Sequence, residues 1–223
     1  CTDISPGMLR TLEANAAALG IEVETAACDA SDLPFGDGEF DLVLGHAVLH
    51  HLPFPERCFA EFARVLAPGG MLFFAGEPSR RGDRIAAVPK RAAVRAAPLW
   101  RRAVKARPAP AGRGHGSTAQ PEDHALEGMV DVHAFLPADL EGYARGAGLV
   151  DVRVRGEELL ANWFGWVNRT LEATAVADDV PMAWRQYAFR GYLALQRVDV
   201  ALLEGRLPPE VFYNLMITAR KPG

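Results

Sequence analysis

The sequence has no apolar run long enough to span a membrane, and its first residues show no signal-peptide pattern. It has only three cysteines at irregular spacing, which excludes a disulfide framework and a cysteine-based zinc site. These absences predict a protein of the reducing cytoplasm. Its 223 residues are 49% hydrophobic and 23% charged, which fits one globular α/β domain with a sizeable core.

Acidic residues are nearly absent from residues 80–113. Eleven Lys or Arg accompany one acid there, Asp83, so the segment carries +10 (11 − 1) in a chain of net charge −4. Two interpretations stay open. The segment could make a peripheral contact with an anionic membrane surface, with Leu99 and Trp100 at the interface, or form a solvated helical face that pairs with acids of the same protein. No recognised nucleic-acid motif accompanies the charge, so we expect no nucleic-acid partner.

Strand and helix patterns alternate along the chain, which predicts a parallel sheet with right-handed crossovers. A helix begins at Ser5-Pro6 and ends at Gly20, and an amphipathic helix covers Glu56 to Leu66. The expected parallel strands lie at 22–28, 40–44 and 71–76. A helix over Ala138 to Ala147 follows, and the strands 150–154 and 211–219 are expected to be antiparallel at one edge.

Residues 80–131 interrupt this alternation. Their alanine-rich helical segments are expected to break at Pro89 and Pro98, and the Pro/Gly-rich stretch Pro108 to Gly116 predicts a loop. A second segment, residues 160–207, is mainly helical and rich in aromatic residues, which we expect to pack together. Neither segment contributes to the predicted sheet, so both are expected to cover a cleft and to determine substrate choice.

The stretch from Asp29 to Gly70 contains the most specific pattern, CDASDLPFGDGEFDLVL followed by HHL and a Gly69-Gly70 stop. It resembles the middle of the class I S-adenosylmethionine-dependent methyltransferases, in the group that includes the ubiquinone and menaquinone methyltransferases. The resemblance implies a single domain over 1–223 with a Rossmann-like sheet. That sheet would be mostly parallel, with a C-terminal antiparallel hairpin and the two helical insertions.

The glycine-rich cofactor loop that the resemblance implies is missing from the sequence. The first residue is Cys1, and Cys1-Thr2-Asp3 looks like the end of a strand. We therefore expect a fragment that lacks its first βα unit. Such a chain is expected to be unstable on its own and to bind S-adenosylmethionine weakly.

Cofactor-binding residues follow from the resemblance. Asp3 would accept hydrogen bonds from the ribose hydroxyls, Asp29 and Ala30 would contact the adenine, and His46 would lie against the methionine moiety. We expect Asp3, Asp29 and His46 to line one cleft at the carboxyl ends of the strands. The alternatives are that Asp3 caps its own helix and that Asp29 stabilises its own turn.

No catalytic residue is defined by the sequence. His50 and His51 are either structural or in contact with substrate, where one could act as a general base. Glu77 is either a substrate contact or a solvated acid at a strand end. Methyl transfer from a sulfonium mainly needs orientation, so a base is not obligatory.

The resemblance implies methyl transfer from S-adenosylmethionine to a small, lipophilic acceptor. An alternative is a binding or regulatory domain that keeps this fold without transfer activity. A nicotinamide-dependent oxidoreductase would carry a similar ribose acid, but the LPF turn and the HHL run resemble the methyltransferases instead. No metal is expected. The acceptor atom and the oligomeric state stay open.

Overall fold

A computed structural model describes residues 1–110 and 133–223 of the chain. The strands of these residues are β1 (Thr2–Asp3), β2 (Ala26–Ala27), β3 (Phe40–His46), β4 (Leu66–Pro78), β5 (Val150–Glu157) and β6 (Asn214–Arg220). The α-helices are α1 (Pro6–Ala18), α2 (Pro55–Val65), α3 (Arg80–Val104), α4 (Pro137–Gly146), α5 (Leu160–Ala173) and α6 (Met182–Val198). Short 3₁₀ turns cover Leu49–His51, Ala177–Asp179 and Pro209–Val211. The predicted α/β class is confirmed.

The chain starts with a small βαβ unit. Strands β1 and β2 pair in parallel, with Asp3 opposite Ala27, and α1 connects them. As predicted, α1 begins at Ser5: the Ser5 hydroxyl accepts a bond from the Met8 N–H at 3.4 Å, and Pro6 is the first helical residue.

A four-stranded sheet in the order β3-β4-β6-β5 forms the main body. Strand β3 is parallel to β4, whereas β6 is antiparallel to both β4 and β5. Strand β5 therefore runs in the same direction as β4. The carboxyl ends of β3, β4 and β5 lie at the edge where β6 begins, and the helices α5 and α6 are inserted between β5 and β6, as predicted.

One face of this sheet is buried and the other is largely open. Leu72, Phe74, Leu215 and Ile217 face a core shared with α2 and α4; its other fully buried members include Phe59, Leu66 and Leu140. On the opposite face Leu42, Leu44 and Met71 are 49%, 65% and 41% exposed. The alternation of buried and exposed residues along each strand follows from the two-residue period of a β-strand.

A second core joins α3, α5 and α6. Ala93, Ala97 and Trp100 of α3 are buried beside Leu171 of α5. Trp100 also packs edge-on against Trp184, with 5.3 Å between ring centroids. The aromatic residues of the insertion pack together, as expected. Trp100, which the sequence suggested for an external interface, lies inside this core, whereas Leu99 next to it is 70% exposed.

The prediction of a strand over residues 22–28 needs correction. Only Ala26 and Ala27 form a strand, and they pair with β1, outside the sheet of β3 and β4. The described residues supply no strand between β1 and β3, so the two sheets stay separate. The last strand begins at Asn214 and not at Val211, because Pro209–Val211 forms a 3₁₀ turn.

The expected helix breaks at Pro89 and Pro98 are also wrong. Helix α3 continues through both prolines to Val104. Each proline removes one backbone hydrogen bond, and the packing of the small α3 face against α5 outweighs that local cost. The predicted loop from Pro108 lies outside the described residues from position 111 on, as does the rest of the insertion to 131.

Among the described residues, no helix combines the length and the apolar character needed to cross a membrane.

Candidate functional site

The carboxyl edges of the two sheets carry the predicted site residues. Asp3 ends β1, Asp29 lies two residues after the end of β2, and His46 ends β3. Because β1 and β2 are neighbouring parallel strands, Asp3 and Asp29 lie at the same end of one small sheet. His46 belongs to the other sheet. The structure thus brings two of the three residues together, and the single cleft for all three stays a prediction.

Both aspartates take part in local hydrogen bonds. An oxygen of Asp3 (Oδ1) accepts a bond from the Ser5 N–H at 2.7 Å, which supports the start of α1. Asp29 Oδ1 accepts from the N–H and the hydroxyl of Ser31, both at 2.8 Å. These two bonds lower the pKa of Asp29, the backbone N–H contributing most. Asp3 therefore supports its own helix and Asp29 its own turn, as the alternative interpretations state. In both residues the second carboxylate oxygen, Oδ2, makes no bond to another described residue.

Ala30 and His46 differ in exposure. Ala30 is partly buried and packs against the main core, which fixes the backbone of the turn after β2. His46 is exposed, and its ring lies across Gly76 of the neighbouring strand. A Cβ at Gly76 would come within 2.9 Å of His46 Nε2, and Gly76 has a φ of +75°. A glycine at position 76 thus allows the imidazole to lie over the end of β4.

Glu77 is a functional candidate whose role the sequence did not reveal. Its side chain is fully buried, so it is neither a solvated acid nor an open substrate contact. Glu77 Oε1 accepts the N–H groups of Val48 and Leu49, both at 3.0 Å. Glu77 Oε2 accepts the N–H of His50 at 3.1 Å and contacts its ring nitrogen Nδ1 at 2.8 Å. One carboxylate therefore holds the loop after β3 and the imidazole of His50.

This geometry assigns the tautomer of His50. An ionised carboxylate can only accept hydrogen bonds, so with Glu77 ionised Nδ1 donates to Oε2 and carries a ring proton. In the tautomer with the proton on Nδ1, the lone pair is on Nε2. His51 lies beside it, with 4.0 Å between the ring centroids. A histidine oriented by a carboxylate in this way can accept a proton from a substrate.

A second polar cluster lies at the end of β5. The carboxylate of Glu158 accepts bonds from Tyr192 at 2.7 Å, Gln196 at 2.8 Å and Asn214 at 3.3 Å. Glu158 has a φ of +58°, a backbone conformation that residues other than glycine rarely adopt. Its bonds tie α6 and the start of β6 to the end of β5. Burial, reinforced by the bond to Glu158, raises the pKa of the Tyr192 phenol, so Tyr192 stays a donor.

Glu157 faces the open side of the sheet, next to Glu158. Burial and the nearby carboxylates of Glu204 and Glu158 raise its pKa, and His46 partly offsets this effect. A cavity of about 210 Å³ lies beside Glu157, between β5 and residues 200–205. It is smaller than the cavities of roughly 300–1,000 Å³ that hold drug-sized ligands, so this cavity does not define the site.

The donor set fits the nucleoside end of S-adenosylmethionine. Two carboxylates at the ends of adjacent parallel strands can accept hydrogen bonds from ribose hydroxyls and from an exocyclic amine. Ile4, directly after Asp3, is 74% exposed and offers an apolar surface there. Among the described residues no group of three or more His, Cys, Asp or Glu could hold a metal ion.

Residues 1–74 match a protein-family model described as a methyltransferase domain. The ubiquinone/menaquinone biosynthesis C-methyltransferase of Bordetella parapertussis is 42% identical over 71 residues, which are 32% of this chain and 28% of that protein. The malonyl-[acyl-carrier protein] O-methyltransferase of Geobacter sulfurreducens is 42% identical over 77 residues, 34% of this chain and 28% of that protein. The matched stretch thus spans little more than a quarter of these relatives.

Solved structures share the fold at low sequence identity. The [4+2]-cyclase SpnF has a TM-score of 0.52 at 19% identity, covering 99% of this chain and 65% of that one. The phosphoethanolamine N-methyltransferase 2 of Haemonchus contortus, in complex with S-adenosyl-L-methionine, has a TM-score of 0.52 at 16% identity, covering 100% of this chain and 43% of that one. Since a cyclase is among these neighbours, the fold alone does not define the reaction.

Proposed function

Because residues 1–74 match a family model described as a methyltransferase domain, we propose that the protein transfers a methyl group from S-adenosylmethionine to a small, lipophilic acceptor. The carrying observation is that this matched stretch contains Asp3, Asp29 and His46, each at the carboxyl end of a different strand. In such sheets ligands bind at that edge.

The cofactor would be held mainly by short-range polar contacts. Asp3 Oδ2 is the acceptor for the ribose hydroxyls, and Asp29 with the Ala30 backbone contacts the adenine. His46 lies against the methionine moiety. The bound cofactor supplies an electrophilic methyl group, and the protein contributes orientation and proximity. The single domain over 1–223, with 80–131 and 160–207 as substrate-selecting segments, and the cytoplasmic location stay predictions.

The proposal is tested by calorimetric titration of the full-length gene product with S-adenosylhomocysteine. Asp3→Ala should weaken binding by about 1–3 kcal/mol, the cost of unpaired polar partners. Asp3→Asn is the informative companion, since its amide oxygen can still accept the Ser5 N–H and preserve the helix start. Asp32→Ala, in the turn after Asp29, is the matched control and should bind normally.

Two outcomes would contradict the proposal. A folded full-length protein that does not bind S-adenosylhomocysteine would overturn the cofactor assignment. Binding without methyl transfer to any acceptor in lipid and acyl-carrier extracts, followed with methyl-labelled cofactor, would instead support the non-catalytic binding domain.

His50 is the proposed proton acceptor for acceptors that lose a proton on methylation. Its Nε2 is available because Glu77 fixes the proton on Nδ1. His50→Gln should lower turnover by about 100-fold with unchanged cofactor affinity, and should flatten the dependence of the rate on pH. His51→Gln tests whether the neighbouring ring, whose centroid is 4.0 Å from that of His50, can take this role instead. Equal turnover in His50→Gln and the parent protein would leave His50 a structural residue.

A further inference from the structure

The outward face of α3 combines exposed aliphatic residues with arginines. Helix α3 uses small residues on its inward face, where Gly82, Ala86, Ala93 and Ala97 are buried. Its other side is directed to solvent and is mainly aliphatic and basic: an aliphatic row, which the exposed Arg81 extends at its N-terminal end, lies beside a row of arginines.

The first row is apolar. Ile85, Val88 and Leu99 are 37%, 67% and 70% exposed, and the exposed alanines Ala92 and Ala96 lie between them. The positions 85, 88, 92, 96 and 99 are separated by three or four residues, so these side chains form one stripe along the helix. A stripe of this length on the solvent side gives α3 an apolar face that no other part of the described chain covers.

The second row is basic. Arg84, Arg91, Arg95 and Arg102 are exposed and recur at intervals of seven, four and seven residues, which places them beside the apolar stripe. The four arginines form no ion pair within residues 1–110 and 133–223. By contrast, Arg107, beyond the helix end, pairs with Asp179 at 2.7 Å. Pairing with acids of the described chain therefore does not account for this row.

The combination of the two rows indicates which kind of partner this face of α3 binds. Nucleic acid would use the arginines but would leave the aliphatic stripe in water. A protein surface that offers only acidic groups would leave it in water as well. A lipid surface uses both, because aliphatic side chains enter the acyl boundary while arginines contact phosphate groups. We propose that the outward face of α3 docks the protein onto an anionic phospholipid surface.

Docking in this way would also orient the site. Helix α3 starts at Arg80, two residues after the end of β4, and Glu77 lies at that end. The carboxyl edge of the sheet is thus joined directly to the docking helix. The proposal concerns where the protein works, and it depends on α3 and not on the methyl-transfer assignment.

The test is vesicle co-sedimentation of the complete chain, with phosphatidylcholine vesicles that contain or lack phosphatidylglycerol. We expect binding only to the anionic vesicles. The double variant R91E/R95E should weaken this binding about tenfold or more, since each basic residue near an anionic surface contributes to the affinity. The matched control R10E/R190E makes the same charge change at exposed arginines of α1 and α6 and should bind like the parent.

The apolar row is tested separately without a change in charge. V88S/L99S should weaken binding about tenfold, whereas the control M8S/L19S, at exposed positions at and just after α1, should not. Circular dichroism confirms that each variant is folded. Absence of binding by the folded parent chain would overturn the proposal. So would unchanged binding of V88S/L99S, or equally tight binding of the parent to duplex DNA, because either result means adsorption by charge alone.

Discussion

At the scale of single residues, Glu77 is the side chain on which the loop after β3 depends. It is buried and accepts three backbone N–H groups in addition to the imidazole of His50. Glu77→Gln replaces one acceptor oxygen by a donor group and leaves buried donors unpaired. We expect a loss of about 2–4 kcal/mol in the free energy of unfolding, measured by urea denaturation.

Glu22→Gln serves as the control for this substitution. Glu22 is exposed and makes no hydrogen bond or ion pair among the described residues, so the free energy of unfolding should stay within about 0.5 kcal/mol of the parent. If both variants were equally stable, the Glu77 carboxylate would not be holding the loop.

The role of Glu77 illustrates what sequence reasoning missed. The sequence placed Glu77 correctly at the end of a strand, but its partners are mainly backbone N–H groups, and these have no signature in a sequence. Asp3 and Asp29 were easier to single out as candidates, because an acid at or near the end of a strand is itself a pattern, and their cofactor roles stay predictions. A histidine four residues after one strand, opposite an acid at the end of the next strand, was the one available signal for the pairing of His50 with Glu77.

Cys58 gives a pH-dependent prediction. It is fully buried against the main core, and burial raises the pKa of its thiol from 9.0 to about 11. A raised pKa in the folded state means that the contribution of the neutral thiol is complete below pH 9.0. That contribution is lost as the pH rises from 9.0 toward 11, because the unfolded chain ionises first.

We therefore expect the parent protein to lose stability relative to Cys58→Ala between pH 9 and 11 in denaturation experiments. The native protein at pH 8 should also leave Cys58 unmodified by a thiol reagent, whereas the exposed Cys1 reacts. Parallel pH profiles of the parent and Cys58→Ala would contradict the prediction.

At the scale of elements, the start of α3 depends on a close approach of two backbones. A Cβ at Gly82 would overlap the carbonyl of Phe212, just before β6. Gly82→Ala should therefore separate α3 from this segment and cost about 1–3 kcal/mol or more in the free energy of unfolding, measured by denaturation.

Gly142 offers a matched control within another helix. It is exposed on α4, and a Cβ there would meet no atom within 4 Å. Gly142→Ala should raise the free energy of unfolding by about 0.5–1 kcal/mol, because alanine loses less conformational entropy in a helix. Similar effects at the two positions would mean that the close contact of Gly82 with Phe212 does not affect the free energy of unfolding.

Most elements were predictable, and the errors share one cause. The cap at Ser5 and the apolar strand at Phe40 depend on local chemistry, and both were found. Whether α3 breaks at Pro89 and Pro98 depends on packing against α5, which lies far away in sequence. In the same way, the pairing of Ala26 with β1 and not with the larger sheet is decided by which strands are neighbours. A local sequence pattern does not encode which strands become neighbours.

At the scale of the whole molecule, β3 is an edge strand with an open apolar face. Leu42 and Leu44 are exposed on the side of the sheet opposite the core. An exposed, apolar edge strand pairs readily with other chains. We expect the 223-residue chain to associate as its concentration rises, and L42K/L44K to suppress this in light-scattering measurements.

The charge-matched control M8K/L19K adds the same two lysines at the exposed positions at and just after α1. It should associate like the parent chain. If both double variants stayed monomeric, net charge and not the edge strand would govern association. A parent chain that stays monomeric at high concentration would show that the open face of the sheet does not cause association.

The strand order β3-β4-β6-β5 has a consequence for biosynthesis. Strand β5 leaves the ribosome well before β6, yet β5 reaches the rest of the sheet only through β6, which lies between it and β4. Until Asn214–Arg220 has been translated, β5 has no strand to pair with, and the helices α5 and α6 emerge in the meantime. A nascent chain stalled before residue 214 should therefore leave β5 open to proteases and chaperones, whereas β3 and β4 can already be paired.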